Sequence, residues 1–136
     1  MATFAQLYDP AIPNEIQPGL VLHLDPDRLL QEGAAHTVDA AARVQGQHFF
    51  LCLSVEQGIT KWVPLFTNAT ADRLELPQQG RYGHPKWCGG VFHFYPDQVW
   101  SASPQAIANA AARAHDKTRS GTRNGIDPAL IPKAAP

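Results

Sequence analysis

The sequence predicts a mostly β fold: a small barrel or strongly bent sheet with a C-terminal helix and a flexible tail. Three observations point there. Short apolar runs rich in Leu, Val, Phe and Trp recur between turn signals made of Gly, Pro and Asp, the pattern of several short strands. Only the stretch after Ser103-Pro104 joins a strong helix start to an extended apolar face. A chain of 136 residues, 44% hydrophobic with 3 Trp, 6 Phe and 3 Tyr, has the bulk for one core and the commonest length for one domain.

Residues 1–18 hold Pro10, Pro13 and Pro18 with little periodicity and read as an extended lead-in. Residues 20–24 form a first strand between Gly19 and Asp25-Pro26. Asp25 as a cap and Pro26 at the first helical position allow one helical turn towards Gly33. Residues 37–44 read as a strand paired through a turn at Gln45-Gly46 with residues 47–54; a helix ending at Gly46 is the alternative. Glu56-Gln57-Gly58 marks the next turn. Residues 60–67 are a strand whose Pro64 points to an edge or a bulge, and residues 73–76 alternate as a half-buried strand does.

Residues 77–90 are loop-like, interleaving Gly80, Gly83, Pro85, Gly89 and Gly90 with Arg81, Tyr82, His84, Lys86 and Trp87. Residues 91–95 and 98–101 supply strand material around the turn Pro96-Asp97. The helix then starts at Ser103-Pro104, shows Ile107, Ala110, Ala111 and Ala114 on its apolar face, and ends near His115. Residues 116–136, rich in Gly, Pro, Lys and Arg, read as a flexible basic tail. The expected organisation is a lead-in over 1–18, one barrel domain over 19–115 and a tail over 116–136.

Several function classes drop out. The longest uncharged apolar run, His48 to Val55, is too short for a bilayer, and no basic segment followed by an apolar one opens the chain, so no membrane role is expected. Cys52 and Cys88 in strand-like settings make no secreted disulfide framework, which suits a reduced, cytoplasmic protein. There is no P-loop and no Gly-rich strand-to-helix turn, and Ser54, Ser101 and Ser103 lack a nucleophile elbow. His84, Cys88 and His93 fall within ten residues but match no standard pair of zinc ligands, so neither metal nor cofactor is expected.

What remains is an anion. Net charge is −1, yet residues 1–60 hold Arg28 and Arg43 against seven acids, while residues 61–136 hold nine Lys and Arg against five. A solvating tail is the plain reading of that asymmetry and a nucleic-acid partner the functional one. Arg81, Tyr82, His84, Lys86 and Trp87 combine phosphate-pairing charge with rings on which bases stack. Alternatively, Tyr82 and Trp87 plug the end of the barrel while the charges face water.

The segment order Gly19-Leu20-Val21-Leu22, a long loop, His48-Phe49-Phe50-Leu51-Cys52-Leu53-Ser54, a turn, and Trp62-Val63-Pro64-Leu65-Phe66-Thr67 resembles the SH3-like barrels of the MazF/PemK/CcdB toxin superfamily over about residues 16–76, which implies a small SH3-like or MazF-like barrel. In MazF-type ribonucleases the second segment opens with Arg-Pro and the third ends in Thr or Ser. Here the arginine position falls on His48, the proline on Phe49 and the hydroxyl on Thr67. The resemblance implies a ribonuclease that cleaves single-stranded RNA by 2′-OH attack without metal, homodimerises and is neutralised by an antitoxin peptide or protein. That chemistry needs proton transfer and a donor to the charged phosphorane. His48 suits the first, with Thr67 beside it. Arg43, Arg81 or Lys86 would replace the missing arginine, with Tyr82 and Trp87 gripping RNA. The alternative is a non-catalytic barrel that binds a protein or nucleic acid, as in a phage or mobile-element accessory protein. It does not require His48, Thr67 and a cation to share one concave site.

Overall fold

The structure, a computed structural model, describes residues 11–112 and 115–133. The chain is mostly β. Its strands are β1 Leu20–Leu24, β2 Ala35–His36, β3 His48–Glu56, β4 Ile59–Pro64, β5 Leu74–Glu75, β6 Arg81–Tyr82, β7 His93–Phe94, β8 Trp100–Ala102 and β9 Asn124–Ile126. Short helices are α1 Ile12–Glu15, α2 Pro26–Gln31, α3 Pro85–Cys88 and α4 Pro104–Ala110, with a 3-10 turn at Pro128–Leu130. One antiparallel sheet runs β2-β8-β4-β3-β1-β9-β6, and β5 pairs with β7 beside it.

The uninterrupted apolar run of β1 has a simple cause. Leu20, Leu22 and Leu24 enter one core with Phe50, Cys52, Trp62, Trp100 and Ile107, whereas Val21 enters another with Leu51, Val63, Trp87 and Ile126. Strand side chains alternate between faces, so a strand covered on both sides must be apolar at nearly every position. Burial of each Leu, Phe or Val contributes about 1.5–3 kcal/mol. On the first face, α4 packs against α1 and α2, with Ile12, Leu29 and Ile107 all fully buried.

Local chemistry sets the joints. The Asp25 carboxylate accepts from the Asp27 and Arg28 N–H groups at 3.0 and 3.4 Å, and Pro26 starts α2. The Ser103 hydroxyl does the same for α4 through Ala106 N–H at 3.2 Å. Between β3 and β4, Glu56 pairs with Ile59 across Gln57 (φ 51°) and Gly58 (φ 81°), a two-residue hairpin turn with both central residues left-handed.

Five expectations are corrected. The sheet is open, since the end strands β2 and β6 do not pair with each other. Residues 37–44 are not a strand: the Asp39 carbonyl accepts from Ala42 and Arg43 N–H at 2.9 and 3.1 Å, closing a turn. Both edges of β3 are already taken by β1 and β4, which leaves no place for a third partner. Within the lead-in, residues 12–15 are a helical turn that buries Ile12; residues 1–10 lie outside the described residues.

Helix α4 stops at Ala110, because Ala111 turns extended and bridges to Leu24. Ala114 lies outside the described residues. The basic tail is largely built in: β9 lies between β1 and β6, and Asn124 and Ile126 are fully buried. Its polar groups are matched. Arg123 pairs with Glu15 at 3.0 Å and Asp116 at 3.2 Å, and Asn124 accepts from His84 N–H and donates to the His115 carbonyl, both at 2.6 Å. Pro64 sits at the end of β4, beyond the last β8 pairing at Trp62, where its missing N–H costs no ladder bond.

Candidate nucleic-acid interface

The sequence-derived site residues separate into two sets. At the exit of β4, Phe66 touches the His48 ring and lines a groove with Arg43, while Thr67 follows it in the chain; neither His48 nor Thr67 lines that groove. Arg81, Tyr82, Lys86 and Trp87 belong to the segment that carries β6 and α3.

Phe66 is fixed by backbone bonds in both directions with His93, at 2.7 Å each. It borders a groove of about 500 Å³ that is also lined by Arg43, Asp72, Arg73, Tyr95 and Gln98. The Arg73 guanidinium lies over the Phe66 ring, 4.0 Å from its centroid, and donates to the Asn68 carbonyl at 2.9 Å. No other described residue accepts from it. Arg43 reaches the groove from the turn at Asp39. It donates to the Val44 carbonyl at 3.0 Å and pairs with the exposed Asp27 carboxylate at 2.7 Å.

The His48 ring packs on Phe66 with centroids 5.3 Å apart. Its Nδ1 lies 3.0 Å from the Leu65 carbonyl, which can only accept, so Nδ1 carries the proton and Nε2 of the neutral ring keeps its lone pair. Thr67 is exposed on the bend that follows Phe66. At the rim, the Thr70 hydroxyl donates to Asp72; that bond is the first cause holding the Asp72 carboxyl below its usual range. The Tyr95 phenol is pushed up, first by its hydrogen bond to the Asp97 carboxylate and then by that charge.

The other set is framework. Arg81 donates to the carbonyls of Pro77, Trp87, Gly90 and Leu76 at 2.9, 2.9, 2.6 and 3.1 Å, and its guanidinium stacks 4.5 Å from the Trp87 ring. Burial is the main cause that lowers its pKa. Trp87 is fully buried and donates to the Gly125 carbonyl at 3.0 Å. The expectation that Arg81 and Trp87 grip RNA is therefore corrected: one has its donors committed to the backbone and the other has no open face. Tyr82 is 43% exposed on β6, and Lys86 is exposed on α3, both apart from the groove's lining.

Comparison with protein-family models, with curated proteins and with solved structures finds no match to this chain. Among the described residues, no three His, Cys, Asp or Glu side chains converge as metal ligands, and no helix is long and apolar enough to cross a membrane. Cys52 is no nucleophile, since burial pushes its thiol up to about 12.

Sequence reasoning missed Phe66, Arg73, Tyr95 and Gln98 as groove residues. The one signal available for Arg73 was its polar place in an alternating strand, which says that it faces outward and nothing of what it faces. A second gathering of rings lies at the end of β1. His23 packs on Phe49 at 5.2 Å, and His84 lies 5.0 Å from His115. Burial first, then the positive charges of His115 and His48, lower the pKa of His23.

Proposed function

We propose that the protein binds single-stranded RNA along the Phe66 groove and cleaves it by attack of a ribose 2′-OH on the adjacent phosphate. One observation carries this reading: two guanidinium groups, Arg43 and Arg73, line one concave surface with the rings of Phe66 and Tyr95. Arginine forks match phosphate oxygens, and aromatic faces stack bases whatever their identity. His48, on the flank of Phe66 with its Nε2 lone pair available, takes the 2′-OH proton as the 2′ oxygen bonds to phosphorus; the P–O5′ bond breaks, leaving a 2′,3′-cyclic phosphate, and the proton passes through water to the departing 5′ oxygen. Arg73, with uncommitted donors among the described residues, stabilises the phosphorane charge in place of Arg81. Thr67 supplies a hydroxyl donor from the adjoining bend.

Resemblance to the MazF/PemK toxins supports the same setting here. That setting is a cytoplasmic homodimer silenced by an antitoxin peptide that covers the RNA groove.

The test is incubation of the purified protein with mixed RNA, with and without chelator, beside His48→Ala and Thr67→Ala. Chelator-resistant cutting is expected, lowered about 10²- to 10⁴-fold by His48→Ala. Undiminished cutting in both variants would remove these two residues from the reaction. A second reading has its own support: Arg43 is already matched by Asp27, which fits a groove that binds without reacting. RNA retention without cleavage would establish that binding module.

A further inference from the structure

Gln98 is 4% exposed and borders the groove from beneath. Its Oε1 accepts two hydrogen bonds, from Val44 N–H at 2.8 Å and from the Trp100 indole at 3.1 Å. Both partners are donors only, so the oxygen must face them and the amide cannot flip. The NH₂ group is thereby held on the opposite side. It has no hydrogen-bond partner among the described residues and is not among their fully buried unpaired atoms, and the residue lines the groove, which makes this NH₂ the part of Gln98 left to a ligand there. A pair of donors locked by buried contacts, beside Arg43, is a preorganised acceptor-reading device rather than a packing residue.

We infer that Gln98 is the base-reading residue of this groove, its fixed NH₂ selecting a keto oxygen, O4 of uracil or O6 of guanine, over the amino group that adenine presents at the same edge. This rests on the groove binding RNA. An amino group facing the Gln98 NH₂ would set donor against donor and leave both unpaired, whereas a keto oxygen satisfies it. Arg43 and Arg73, which line the same groove, also only donate, and the Tyr95 hydroxyl there is engaged by Asp97. The acceptors Thr70 and Asp72 stand at the exposed rim.

The experiment is equilibrium binding of the whole protein to labelled eight-nucleotide oligouridylate and oligoadenylate at one salt concentration. Uridylate is expected to bind about tenfold more tightly. Gln98→Glu keeps an oxygen towards Val44 and Trp100 but turns the groove-facing donors into an acceptor, and it should erase the ratio between the two oligonucleotides. An oligonucleotide of pyrimidin-2-one, which is uracil without its 4-oxo group, needs no variant; it should bind the unaltered protein about tenfold more weakly than oligouridylate. Equal affinity for all three oligonucleotides overturns base reading by Gln98 and leaves the RNA groove standing. Absence of binding to any of them overturns both.

Discussion

Two arginine-aromatic pairs in this molecule make a natural experiment. The Arg81 guanidinium lies 4.5 Å from the Trp87 ring and that of Arg73 4.0 Å from the Phe66 ring, so each cation sits over its ring at a similar distance. They differ in what the guanidinium does with its donors. Arg81 donates to four backbone carbonyls and ties the ends of the 77–90 segment together, while Arg73 donates to one. A cation whose hydrogen bonds are internally satisfied is structure; one with donors to spare is available to a ligand.

The largest effect expected on that contrast comes from deleting residues 116–136, which removes β9 from between β1 and β6 and takes Arg123, Asn124 and Ile126 with it. The truncated chain should lose its cooperative thermal transition. A sharp melt near that of the full chain would show that the tail is dispensable.

On the framework side, Trp87→Ala should cost about 3–5 kcal/mol in denaturant unfolding, as a large cavity opens beneath β9. Arg81→Ala should cost about 3 kcal/mol, because buried carbonyls lose their donor. On the groove side, Arg73→Ala should change stability by under about 1 kcal/mol while weakening RNA binding about tenfold and lowering the salt slope by about one. Similar unfolding costs for Arg81→Ala and Arg73→Ala would dissolve the distinction between the two pairs.

The smallest effect is a pH dependence at His23. Its pKa is held below the 6.5 of the unfolded chain, by burial first and then by His115 and His48, against an opposing pull from Asp116. The unfolded chain therefore takes up a proton that the folded one refuses. Its stabilising contribution is full above pH 6.5 and falls as the pH drops from there towards the folded value. Melting temperatures of the native chain and His23→Gln should diverge most at neutral pH and converge in acid; parallel curves would remove His23 as the cause.

Legibility followed the range over which each feature is decided. Asp25-Pro26 and Ser103-Pro104 could be read as helix starts because a cap and its N–H lie within three residues of each other. Gly58 marked its turn because a left-handed φ is a local demand. The strand cores at β1, β3 and β4 followed from apolar runs that have no other means of leaving water.

By itself, then, the sequence determined the β character, the two well-capped helix starts and the main turns, all of which rest on contacts between near neighbours. Tertiary structure decided the rest. It set β9 between β1 and β6, despite a tail composition that argues for solvent, by supplying Glu15, Asp116 and His84 as partners for Arg123 and Asn124. It sorted Arg81 from Arg73, two residues alike in the sequence, by how the chain folds around each: the carbonyls of Leu76, Pro77, Trp87 and Gly90 converge on the Arg81 guanidinium, whereas Arg73 meets the Asn68 carbonyl alone among the described residues. Burial and hydrogen-bond satisfaction of a polar group depend on where the folded chain brings its partners, whether a few residues away as for Arg81 or about a hundred as for Arg123, and those positions exist only once the sheet and its loops have formed.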